Sequence, residues 1–144
     1  MELKIQEPIE AITLMQQNPA MHFFGNILAN IPSFKVNFVK TMAVGFNKNG
    51  TLSLFWNETY FLKLTEPQKF AVLVHESLHI FYRHLDRFDF SKDDFKIKNI
   101  ACDMAINQLI DNLPENTIDY RNYKGKYLPA NLSADEYYFL LIRD

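Results

Sequence analysis

Phe70-Ala71-Val72-Leu73-Val74-His75-Glu76-Ser77-Leu78-His79-Ile80 sets two imidazoles four residues apart in an apolar run, with a carboxylate directly after the first. The pattern is HExxH. On a helix, side chains at i and i+4 share a face with Cβ atoms about 5 to 6 Å apart, close enough for both rings to hold one zinc ion. Glu76 lies about 100° round from His75, where it is better placed to take a proton from a bound water than to bind the metal itself. A His pair can also be a solvated polar face. Two features argue against that: the segment before it is too apolar for a surface helix, and Thr65-Glu66-Pro67-Gln68 upstream has the form of a capping box with proline in the first turn.

The helix is therefore expected to start at or just after Thr65. With His75 at 0°, Leu73, Val74, Leu78, Ile80, Phe81 and Leu85 fall between about 140° and 300°, the side expected to be buried. His75 and His79 lie off that side, where a cleft can form. His84 makes a third histidine on the same stretch. If the helix runs on unbroken, His84 projects near 180° among the apolar residues, which reads as a core or outer-shell histidine rather than a ligand. The long motif that turns away at a glycine before its third histidine is absent.

Downstream, Ser91-Lys92-Asp93-Asp94 reads as a helix start, and the helix is expected to continue through Asn99 to Leu113, stopped by Pro114. It carries Asp103 and Asn107, spaced i, i+4 on one edge. Ala101, Cys102, Ala105, Ile106 and Leu109 form its apolar face, and the small alanines permit close approach. Asp103 can complete a His-His-carboxylate site with His75 and His79, with Asn107 orienting a histidine from behind. Without HExxH, Asp103 would read as a solvated helix residue. Cys102 falls on the apolar side and reads as buried and inert.

Elsewhere, Pro8 to Gln17 reads as a short amphipathic helix stopped at Asn18-Pro19, and Ala20 to Ala29 as a second, with His22 packed and hydrogen-bonded. Ser33 to Trp56 has strand character, with Val36, Phe38, Met42, Val44 and Phe46 alternating. The Asn47-Lys48-Asn49-Gly50 turn pairs Met42 to Phe46 with Thr51 to Trp56 as a hairpin. Such a sheet can either receive an extended substrate as an added strand or only cover the core. Asn57 caps a short helix to Leu64. Tyr120, Tyr123 and Tyr127 lie in a loop, where they anchor it or lend a phenol to a substrate carbonyl. Ser133-Ala134-Asp135-Glu136 is a third capping box, opening a last helix over Tyr137 to Ile142.

At 144 residues, 48% hydrophobic and 22% charged, the chain reads as one globular domain over 1–144. Thirteen Phe and seven Tyr promise an aromatic core. A net charge of −2 gives no electrostatic case for nucleic acid or an anionic membrane. The lone Cys102 and an N-terminus without a secretion signal point to a cytoplasmic setting, and no apolar run approaches the roughly 18 residues of a membrane span.

The chain resembles the metallopeptidase domain family whose members, in bacterial and phage proteins, precede a von Willebrand factor A-like domain. The resemblance rests on Asn57-Glu58-Thr59-Tyr60-Phe61, on Val74 to His79 with His84 and Arg87 following, on Asn99 to Asn107, and on Leu132-Ser133-Ala134-Asp135-Glu136-Tyr137-Tyr138. It implies zinc more firmly than proteolysis, and it carries no substrate. No von Willebrand-like domain follows here, so either a stand-alone protein or one needing a partner chain is expected. HExxH followed by a carboxylate helix is also similar to thermolysin-like gluzincins, which use Glu where Asp103 stands. The expected fold is α+β, a mainly helical zincin-like domain with a small antiparallel hairpin or sheet. The expected function is zinc-dependent hydrolysis of a peptide or protein, with His75, His79 and Asp103 as ligands and Glu76 as base. The alternative is a metal-stabilised interaction module, which would have no need of Glu76.

Overall fold

A computed structural model describes residues 5–88, 92, 94–115, 117–121 and 123–143. The elements run α1 (Pro8–Gln17), α2 (His22–Ala29), β1 (Ser33–Lys35), β2 (Met42–Phe46), β3 (Leu52–Trp56), α3 (Glu58–Lys63), α4 (Glu66–Phe81), α5 (His84–Arg87), α6 (Phe95–Asn107) and α7 (Ala134–Ile142). This is an α+β architecture, mainly helical around a three-stranded sheet of order β1-β3-β2.

The N-terminal helices pack on each other and on α4. Their approach is close enough that a Cβ on Gly25 would sit 2.8 Å from the Gln16 amide nitrogen and 2.9 Å from Met15 Cβ, which glycine alone avoids. The hairpin forms as the Asn-Gly turn predicts. Asn47 Oδ1 accepts the Asn49 and Thr51 amides, Gly50 takes φ +78°, and Met42 pairs with Trp56 and Val44 with Leu54. The sheet also gains a strand that hairpin logic does not supply, since β1 pairs parallel to β3 and ends at Lys35. The expected strand alternation over Val36 and Phe38 therefore fails, and Phe38 is 76% exposed.

Asn57 caps α3 by accepting the Tyr60 amide, and Thr65 and Gln68 exchange both capping-box bonds at the start of α4. Ala71, Val72, Leu73 and Leu78 of α4 are buried, and a cluster from α1, α2, the sheet and α3 packs around Val72 and Leu73. The unbroken helix expected through residue 84 is not found. α4 ends at Phe81, Arg83 turns left-handed at φ 59°, and α5 begins at His84. Phe81, expected inside, is half exposed, its ring set edge-on to Phe23, while Ile80 and Leu85 on either side of it pack against the core.

A second cluster joins α6 to α7, with Ala101 and Met104 against Tyr137 and Leu128. Ser133 and Glu136 make the expected capping box on α7. Of the expected start of α6, Ser91 and Asp93 lie outside the described residues, and Asp94 stands just before it. The helix stops at Asn107 instead of running to Leu113. Leu109 and Ile110 make tight i→i+3 bonds to Ile106 and Asn107, and Asn112 takes φ 69°. Leu109 is consequently exposed, whereas Cys102 is buried as expected. His22 does bond to Gln16 and Asn26, though at the surface. Among the described residues, no helix is long and apolar enough to cross a membrane.

Candidate metal centre

α4 and α6 come together where each presents polar residues to the other, and β2 closes a third side. His75 and His79, one turn apart on α4, aim their Nε2 atoms at the same point, 3.0 Å from each other. Asp103 reaches across from α6. Its Oδ1 lies 3.3 Å from His75 Nε2 and 3.2 Å from His79 Nε2. In a tetrahedral site with bonds of about 2.0 to 2.1 Å, ligand atoms stand about 3.3 Å apart. Two imidazoles and a carboxylate at these separations thus fit one divalent cation, and the three residues are placed to bind a metal.

The surroundings fix the ligand atoms. His75 Nδ1 lies 2.7 Å from Asn107 Oδ1, and Asn107 in turn donates its Nδ2 to the Ile118 carbonyl at 2.9 Å. That second bond decides which way the amide faces. Oδ1 accepts the Nδ1 proton of His75, and the neutral ring then keeps a bare lone pair on Nε2. Asn107 thus stands behind a histidine of the centre, as its i+4 spacing from Asp103 suggests.

Without a metal, the charges settle among themselves. Burial works to lower the His75 pKa, but the hydrogen bonds it donates to Asp103 and Asn107 and the charges of Glu76 and Asp103 outweigh it, giving a value of about 9. Burial works the other way on Asp103, yet the hydrogen bonds from His75 and His79 hold its carboxyl well below the usual range. The metal-free centre at neutral pH is then a protonated imidazole against a carboxylate, a proton standing where a cation can go.

Glu76 is buried beside this group. Its Oε1 accepts the Val44 amide from β2 at 3.1 Å, and its Oε2 lies 3.8 Å from His75 Nε2. Burial raises its pKa, and the nearby histidines offset only part of the rise. A cavity of about 500 Å³ opens over the centre, walled by Thr41 to Val44, Tyr60, Leu113 and Ile118. All four residues singled out from the sequence, His75, Glu76, His79 and Asp103, line it.

Other features of the cavity escaped sequence reasoning. Tyr60 of α3 supplies the phenol in the wall, whereas Tyr120 packs against Tyr137 and Tyr127 is 75% exposed. Burial and the neighbouring Glu76 raise the Tyr60 pKa, keeping its hydroxyl a donor. The Asn57 cap marks that helix in the sequence, but only the resemblance in Asn57-Glu58-Thr59-Tyr60-Phe61 touches Tyr60 itself. Asn99 lines the cavity one turn before Asp103, so Asn99, Asp103 and Asn107 form a polar stripe at i, i+4, i+8 that was legible but only partly read.

No curated protein and no solved structure matches the chain. A family of domains does, over residues 10–143, a span that takes in the hairpin, α4, α6 and every residue of the centre. The chain belongs to the family described as "Putative metallopeptidase domain".

Proposed function

We propose that the protein is a zinc-dependent hydrolase that cleaves peptide bonds, with His75, His79 and Asp103 as the metal ligands and Glu76 as general base. The observation that carries the proposal is a ligand triangle on the wall of an open cavity, with a buried carboxylate fixed beside it. A structural metal site has no use for the cavity or for Glu76. His75, His79 and Asp103 would hold the zinc ion, which would supply Lewis acidity and bring the pKa of a bound water to about 7.

The chain's own groups supply the rest. The Val44 amide ties down Glu76 Oε1, leaving Oε2 to take a proton from the attacking water and pass it to the departing amine. The raised pKa of Glu76 suits both halves of that transfer. The Tyr60 hydroxyl, in the wall of the same cavity, donates to the oxygen that gathers charge. β2 is an edge strand, and Val44 N–H reaches out from that edge, so a peptide laid along it as an added strand passes the carboxylate.

Glu76→Gln tests the assignment. The amide fills the same volume and cannot take the proton, so zinc content should be unchanged while kcat on a cleaved peptide falls by about 10²- to 10⁴-fold. Cleavage at the wild-type rate would remove Glu76 from the mechanism.

A further inference from the structure

His84 lies outside the ligand triangle but directly behind one of its corners. Its Nδ1 is 3.0 Å from His79 Nδ1. The ring is 2% exposed, stacked on Tyr82 with planes 19° apart and set edge-on to Phe88. The chain brings it there through Arg83, whose left-handed φ of 59° interrupts the helix and turns residue 84 back toward residue 79. A non-glycine residue in that conformation is strained and persists only where its surroundings hold it.

Two ring nitrogens at 3.0 Å need one proton between them, so one donates and the other accepts. Metal binding at His79 Nε2 requires a bare lone pair there, which puts the neutral ring's proton on Nδ1. We infer that His84 accepts this proton at its own Nδ1 and so holds His79 in the metal-ready tautomer, as a positioning residue and not a ligand. The inference rests on the zinc reading above. It gives the centre a matched back row, with Asn107 accepting from His75 and His84 accepting from His79. Neither acceptor is a carboxylate. A carboxylate in either place would make its histidine a stronger donor and damp the metal's pull on a carbonyl.

The test compares wild type with His84→Phe and His84→Asn. Phenylalanine keeps a ring between Tyr82 and Phe88 but offers no acceptor, whereas asparagine returns an oxygen near the place of Nδ1. Zinc is the probe, titrated into metal-free protein against a chromophoric chelator. His84→Phe should weaken zinc binding by about 10- to 100-fold, and His84→Asn should restore most of the loss. Proton–nitrogen correlation NMR of zinc-loaded wild type should show His79 protonated at Nδ1, and this reading decides the matter if the phenylalanine variant does not fold. Wild type with no zinc affinity overturns the metal reading and this inference with it. Tight zinc binding by wild type, together with equal affinity in His84→Phe or a His79 bound through Nδ1, overturns the role of His84 alone.

Discussion

At the scale of single residues, the centre is a contest between a proton and a cation for His75. Its metal-free pKa of about 9 means that zinc entering at neutral pH must displace that proton. Apparent zinc affinity should therefore rise about tenfold per pH unit from pH 7 and level off above about pH 9, which chelator competition at stepped pH would show. For the metal-free fold the sign is opposite. A folded pKa above the ordinary histidine value of 6.5 gives stability that is complete below pH 6.5 and lost as pH rises through about 9. Tyr60 is separable from metal binding. Tyr60→Phe should leave zinc affinity unchanged and lower kcat by about 10²- to 10³-fold, measured on whichever peptide wild type cleaves.

At the scale of elements, the helix starts are strong and the helix ends subtle. Thr65 and Gln68 exchange both bonds of a capping box, so Thr65→Ala should cost about 1 kcal/mol, seen as a lower melting temperature with zinc stoichiometry intact. Such caps are local chemistry, which is why α4, α7 and the Asn57-capped α3 were legible from residue order alone. The stop of α4 was not, because Arg83 carries a positive φ that nothing in its own chemistry requires. The reading of His84 therefore rested on a helix that does not exist in that form, yet His84 still lies behind His79 while Asp103 stands beside both histidines. The parallel pairing of β1 with β3 and the placing of Tyr60 over Glu76 are contacts made by the fold as a whole, and no spacing in the sequence announces them.

At the scale of the whole molecule, the centre is a seam. His75 and His79 come from α4, which packs with the N-terminal helices and the sheet, whereas Asp103 comes from α6, which packs chiefly against α7. The two sides bring His75, His79 and Asp103 to the seam, where they are placed to bind a metal. The central claim is that these three side chains hold one metal ion together. Its most direct measurement is zinc stoichiometry and affinity in protein stripped with a chelator and then titrated, for wild type beside His79→Ala and Asp103→Ala. The account predicts about one zinc per wild-type chain, none retained by His79→Ala and a large loss of affinity in Asp103→Ala. Wild type that takes up no zinc, or an Asp103→Ala variant that binds as tightly as wild type, would contradict it.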